Sequence, residues 1–262
     1  MPEHDYIQEL VEILARLRAP DGCPWDREQT HATLKEYLAE ESAEFFDAVD
    51  AGDDREMCDE LGDLLLQIVF HCQIARERGA FDIQDAARAI CEKMKRRHPH
   101  VFGDVKVSGI GEVYANWEVI KREEKRHDAS RKSAIGGVPR NLPALHRAHK
   151  MLKKAAKAGF DWSDMESALA KVEEELCEVR KAVAERDDRA LREEIGDLLL
   201  ATANLSRRQD WVAEELLGEA LRKFETRFHK IEKLAADGGT DLRACTKPEL
   251  LALWRRAKET PA

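Results

Sequence analysis

Apolar residues recur every three to four positions through most of this chain, and the runs part at short polar breaks. That period places them along one face of a helix. It predicts helices near 4–18, 28–50, 54–78, 83–97 and 111–127, and again near 142–157, 164–185, 188–208, 211–236 and 247–259. Between the two sets lies SAIGGVPRNLP (133–143), with two glycines and two prolines. Such punctuation ends helices. The expected organisation is therefore a domain over 1–130, a linker over 131–143 and a second domain over 144–262. GFDWSD (159–164) makes another break, and Ser163 or Asp164 is the expected cap of the helix after it. In RRHPHVF, Pro99 between His98 and His100 predicts a helix stop, because proline disfavours helix at the residue before it.

One stretch departs from the one-sided pattern. DELGDLLLQIVFH (59–71) is apolar on nearly every side, as a buried helix is, yet it opens with Glu60, Gly62 and Asp63. Burying lone carboxylates is costly, so they need a partner. Sliding the chain by 134 residues supplies a second copy of the problem. EESAEFFDAV (40–49) falls on EELCEVRKAV (174–183) with five of ten positions identical, and DDREMCDELGDLLLQIVF (53–70) falls on DDRALREEIGDLLLATAN (187–204) with nine of eighteen. The chain carries two copies of one helical unit.

Composition narrows the class. Glycine (14) and proline (8) are scarce in 262 residues, 36% of positions are charged and 43% hydrophobic. That mix favours an all-α fold with a sizeable core. A net charge of −9 argues against a nucleic-acid or anionic-membrane partner. No apolar run approaches the roughly 20 residues of a membrane span, and MPEHDYIQEL has no charged-then-apolar signal pattern. The six cysteines form no CxxC pair, which fits free thiols of a reduced, cytoplasmic protein.

The repeated acids are the candidate chemistry. Glu41 and Glu44 lie three apart on one helix, and Glu60 and Asp63 lie three apart on the next. Residues at that spacing share a face. A turn near Ala51–Asp53 folds the pair into a helical hairpin on which four carboxylates converge. Glu175, Glu178, Glu194 and Asp197 repeat the arrangement. Oxygen-only ligands suit hard cations such as Mg²⁺ or Mn²⁺. A di-iron bundle wants a Glu-x-x-His on two of its helices, which neither copy supplies. Gly62 and Gly196 either allow tight helix packing or leave room beside the acids. No Walker loop, GxSxG elbow or Cys/His catalytic set is present.

EExxE followed by ELGDLL or EIGDLL, together with GCPWDREQT (22–30), RRHPHVFGD (96–104), GFDW (159–162) and KFETRFHKIE (223–232), resembles the MazG family of nucleoside triphosphate pyrophosphohydrolases in its two-domain bacterial form. The resemblance covers nearly the whole chain. It implies tandem all-α domains with four-helix-bundle-like cores completed by dimerisation. It also implies Mg²⁺-dependent hydrolysis of (deoxy)nucleoside triphosphates to monophosphate and pyrophosphate, with Mn²⁺ as a substitute, in broad nucleotide-pool housekeeping.

By position, the resemblance makes Glu175, Glu178, Glu194 and Asp197 metal ligands, matched in copy one by Glu41, Glu44, Glu60 and Asp63. Glu174, Glu175 and Glu193 are the candidate catalytic acids, with Glu174 or Glu193 as general base. Lys171, Glu174, Lys223, Arg227, Trp254 and Lys258 match nucleotide-binding positions, the cations for phosphate and the tryptophan for base or sugar. Lys93, Arg97, Trp117 and Lys121 are the counterparts in copy one. That copy has Tyr37 where copy two has Lys171, and Phe70 in place of Asn204, so copy two is the expected seat of the main activity. Two other readings stand beside this one. The first is a narrower pyrophosphohydrolase of the dUTP, dCTP or phosphoribosyl-ATP type. The second is a helical interaction module with degenerate sites that regulates a partner.

Overall fold

The structure is a computed structural model and describes residues 4–126 and 133–259. Among these residues there are helices and one 3₁₀ turn but no strand. They divide into two compact units, Met1–Glu124 and Lys125–Ala262. The end of the expected first domain (127–130) and the first two positions of the expected linker lie outside the described residues. No helix among those described is long and apolar enough to cross a membrane.

Unit 1 contains α1 (Tyr6–Leu17), α2 (Pro24–Glu28), α3 (Leu34–Ala51), α4 (Asp54–Glu77), α5 (Ile83–Arg97), α6 (Pro99–Phe102) and all but the last two residues of α7 (Ile110–Arg126). The helix expected from residue 28 starts at Leu34 instead. Gln29 is extended, and Thr30–Thr33 closes a turn in which the Thr30 N–H donates to Thr33 Oγ1 at 2.9 Å. These side-chain hydrogen bonds compete with helix, and periodicity does not register them. Pro24 sits in the first turn of α2, where its missing N–H costs nothing. α5 ends at Arg97, and Pro99 begins the short α6.

α3 and α4 form the central hairpin of unit 1. Gly52 turns the chain in the left-handed region (φ 68°), and Asp53 caps α4 by accepting from the N–H groups of Arg55 and Glu56. Leu14, Leu34, Val69 and Phe70 form the buried core, against which Leu10, Leu65, Leu66 and Ile83 pack. α4 packs against α1, α3 and α5 within the unit. It is not buried all round, as its apolar run suggests: Leu61 is 52% and Ile68 49% exposed.

Unit 2 contains α8 (Ala144–Lys157), α9 (Met165–Glu185), α10 (Asp188–Arg207), α11 (Ala213–Asp237), a 3₁₀ turn (Leu242–Ala244) and α12 (Lys247–Glu259). The α9–α10 hairpin repeats the α3–α4 turn. Arg186 takes the left-handed position of Gly52 (φ 55°), and Asp187 accepts from the N–H groups of Arg189 and Ala190. Of the two expected caps, Asp164 is the one used, accepting from Ser167 N–H at 2.7 Å.

The last turn of α5 is tied to α7 through Glu124, which accepts from Arg97 at 2.6 Å and Arg96 at 2.7 Å. Hydrogen bonds from Arg97 and then Arg96 hold the Glu124 carboxyl down from 4.5 to about 2. A depressed carboxyl contributes stability that is present above its unfolded value and lost as pH falls through its folded value. Glu124→Gln is therefore expected to lower the unfolding free energy by about 1 kcal/mol at pH 7, since solvent screens half-exposed Arg96. The gap from wild type should close between pH 4.5 and about 2 in denaturant titrations. An unchanged gap at pH 2.5 would assign the effect to packing instead.

Candidate active site

Each hairpin brings three acids together. In unit 1, one carboxylate oxygen from each of Glu41, Glu60 and Asp63 lies within 4.8 Å of the others; in unit 2, Glu175, Glu194 and Asp197 do the same. The two groups occupy identical positions of the 134-residue repeat. Glu44 and Glu178, expected as fourth ligands, lie one turn further along their helices, exposed and outside these groups. A Cβ placed on Gly62 or Gly196 would meet nothing within 4 Å, so neither glycine serves a close helix contact among the described residues. Of the two roles expected for them, the open space fits the second.

The two groups differ in how their charge is met. In unit 2, the Lys171 ammonium lies 2.7 Å from Glu175 and 2.8 Å from Glu174. Hydrogen bonds to Glu174 and then Glu175 push the lysine above its usual range. Burial, the charge of Glu194 and a hydrogen bond with Glu175 push the Glu178 carboxyl up. In unit 1, burial and then the charges of Asp63 and Glu44 raise Glu41, while burial and then the charges of Glu44 and Glu56 raise Glu60. Glu60 is 8% exposed, and its Oε2 is buried with no hydrogen-bond partner. Converging oxygen donors without histidine, one of them orphaned, fit a hard divalent cation. Glu193 stands exposed beside Glu194, and exposed Glu174 is held by Lys171.

A cavity of about 310 Å³ opens beside the acids of unit 2. Phe160, Trp162, Ala168, Ala201 and Asn204 line it together with Lys171, Glu175 and Asp197. The aromatic wall belongs to the loop before α9. Arg207 holds that loop through Asp161 at 2.5 Å, and Arg208 reaches the Trp162 carbonyl at 3.0 Å. Arg207 Nε also donates to Asn204 Oδ1 at 2.9 Å. A guanidinium cannot accept, so Asn204 must offer its oxygen there and keeps its NH₂ as a donor. Sequence reasoning treats Phe160 and Trp162 as a helix break. Two aromatic residues within the last five before a cap were the available signal.

The remaining expected nucleotide-binding residues sit elsewhere in unit 2. Phe224 lies 5.7 Å from Trp254 between ring centres, and the Arg227 and Lys258 cations lie 5.8 and 5.9 Å from the Trp254 ring. Trp254 lines a separate cavity of about 370 Å³ with Phe224 and Phe228, and Lys223 is exposed on α11. Neither this cavity nor the acid-side one contains residues of the other set. In unit 1, Lys121 caps Trp117 at 4.2 Å, Lys93 is half-buried on α5 and Arg97 is engaged by Glu124.

The model of the MazG nucleotide pyrophosphohydrolase domain matches residues 29–102 and 163–231, once in each unit and across both acid groups. The chain belongs to the MazG family. It is 47% identical over 251 residues to the nucleoside triphosphate pyrophosphohydrolase/pyrophosphatase MazG of Thermotoga maritima, covering 96% of this chain and 95% of that protein. It is 44% identical over 257 residues to the nucleoside triphosphate pyrophosphohydrolase of Escherichia coli K12, covering 96% and 97%. It is also 45% identical over 249 residues to the uncharacterized protein YabN of Bacillus subtilis, covering 95% of this chain and 50% of that protein. Membership in this MazG family makes the chain a hydrolase with two copies of its domain.

Proposed function

We propose that the chain hydrolyses nucleoside triphosphates to monophosphate and pyrophosphate, with unit 2 as the seat of the reaction. The carrying observation is the cavity that runs from Phe160 and Trp162 past Asn204 onto Lys171, Glu175 and Asp197. One end suits a nucleoside and the other a cation-bound polyphosphate. Glu175, Glu194 and Asp197 would hold the ion, Mg²⁺ in this reading with Mn²⁺ as a substitute, and Glu178, which hydrogen-bonds with Glu175, would join them. A divalent cation bound there would supply charge neutralisation and polarise a phosphoryl oxygen.

Lys171 adds a cation beside the acids and can turn to a phosphate once Glu175 is engaged. Glu174 or Glu193 would accept a proton from the attacking water. Water adds to the α- or β-phosphorus, the bridging P–O bond between them breaks, and both routes give the same products. Lys223, Arg227, Trp254 and Lys258 form a second cationic and aromatic surface for the nucleotide. Its separation from the acid-side cavity supports a homodimer in which the two surfaces meet from different copies. Exposed Ile195 and Leu199 on α10 and Leu221 on α11 support the same assembly. The segment 131–143 serves as the linker in this reading. Six unpaired cysteines and the acidic charge fit a cytoplasmic setting without nucleic-acid or membrane partners.

The test is pyrophosphate release from a panel of the eight canonical triphosphates, dUTP and phosphoribosyl-ATP, with Mg²⁺ or Mn²⁺. Release from several triphosphates is the expected result. Release from dUTP, dCTP or phosphoribosyl-ATP alone would establish the narrower enzyme, and no release from any would leave the interaction module.

A further inference from the structure

The acid group of unit 1 is not a weaker duplicate of the one in unit 2. Its three acid positions are kept, while Ala168, Lys171, Ala201 and Asn204, which stand beside the acids of unit 2, are all replaced. Ala168, Ala201 and Asn204 line the cavity of unit 2. The same repeat positions in unit 1 hold Leu34, Gln67 and Phe70, all larger; Ala168 and Asn204 are as buried as their counterparts, so size and not burial separates the two sets. Leu34 and Phe70 belong to the unit's hydrophobic core. Lys171 is replaced by Tyr37, whose ring packs edge-on against Trp25. The pocket positions are filled, and the cation that would meet a phosphate is gone.

What lies beside the acids of unit 1 is an acidic cleft. Glu44, Asp47, Asp53, Glu56 and Glu60 line it together with Ala48 and Ala51, without one basic side chain. In unit 2 the positions of Asp47 and Glu56 are Lys181 and Ala190. Such a field repels a polyphosphate and concentrates cations. Independently of the acid count, Glu60 Oε2 is buried and without a partner, on a carboxylate that belongs to the three-oxygen group. A buried carboxylate oxygen left unmatched is costly, and a cation in the group would remove that cost.

We propose that unit 1 is a nucleotide-free divalent-cation site: Glu41, Glu60 and Asp63 bind a hard cation on its own, whereas unit 2 takes its cation together with a triphosphate. Lys171 accounts for the difference. In unit 2 the ammonium already pairs with Glu175, so an incoming ion must displace it until a phosphate offers the lysine another anion. Unit 1 has no such competitor. The contrast rests on the reading of unit 2 as the triphosphate site, but the binding itself does not need turnover.

The experiment is Mn²⁺ titration of the full chain without nucleotide, followed by electron paramagnetic resonance of the free ion. Wild type should bind one Mn²⁺ per chain more tightly than any other. Glu60→Gln and Asp63→Asn should each weaken it at least about tenfold, while Glu194→Gln leaves it in place. Exposed Asp63 is included because its replacement spares the core. Tyr37→Lys should weaken the site, and Lys171→Met should make unit 2 bind Mn²⁺ more tightly without nucleotide while lowering pyrophosphate release. The proposal is overturned if wild type binds no Mn²⁺ without nucleotide, or if Glu194→Gln rather than Glu60→Gln abolishes that binding. Pyrophosphate release that survives Glu194→Gln, with the Mn²⁺ site intact, would instead count against the reading of unit 2.

Discussion

Glu175→Gln is expected to reduce pyrophosphate release by at least on the order of 100-fold, while Glu41→Gln leaves it within about threefold of wild type. Glu175 is 5% exposed, contributes to the three-oxygen group and pairs with Lys171 at 2.7 Å. Glutamine keeps the size of the side chain but removes the charge that would hold the cation. It also frees Lys171 from its partner, so the substrate's own phosphates must compete for a lysine and an acid set that no longer balance. Glu41 holds the same repeat position, but in a unit with Tyr37 and Phe70 where Lys171 and Asn204 stand. The readout is initial rate against nucleotide and Mg²⁺ concentration for each variant. Equal losses in both would make the two sites equivalent catalysts and refute the assignment to unit 2.

The second large effect is a reciprocal exchange at one position of the repeat. Leu34→Ala is expected to cost about 3 kcal/mol of stability, because it removes a fully buried side chain from a core that cannot collapse onto the gap. Leu34 is 1% exposed and packs with Leu14, Val69 and Phe70. Its counterpart Ala168 borders the cavity of about 310 Å³ beside Glu175. Ala168 is itself only 1% exposed, so Ala168→Leu should cost about 1–3 kcal/mol by overpacking and also raise the KM for nucleoside triphosphates about tenfold or more, by pushing into room a nucleoside would use. Urea denaturation measures the first and steady-state kinetics the second. A destabilised Ala168→Leu with an unchanged KM would show that the cavity does not receive substrate.

Much of this protein is legible without coordinates. Amphipathic period placed the long helices to within a few residues, since helix registers as a one-sided stripe and its ends as caps and prolines. The exceptions are instructive. The start of α3 moved from 28 to Leu34 because Thr30 and Thr33 hydrogen-bond locally. The run after Asp63 looked buried on every side, but Leu61 and Ile68 face outward, because one-dimensional hydrophobicity does not say which faces a single chain covers.

The acids show the same division. Their types, their spacing and their recurrence 134 residues on were sufficient to identify a repeated carboxylate set and the family that carries it. Spacing alone treated Glu41, Glu44, Glu60 and Asp63 as four equivalents. The hairpin draws together three, while Glu44, one turn along α3, lines the neighbouring cleft with Glu60.

Sequence by itself determined the helical class, the duplication and the carboxylate make-up of the two acid groups, since each is a property of residue type and period. Tertiary structure alone decided that Phe160 and Trp162 wall the same cavity as Lys171 and Asn204, and that Leu34, Gln67 and Phe70 are buried at the equivalent positions in unit 1. Cavities are what packing leaves unfilled. Whether a side chain borders one or occupies it depends on neighbours brought in by the fold, and not on the chain positions beside it.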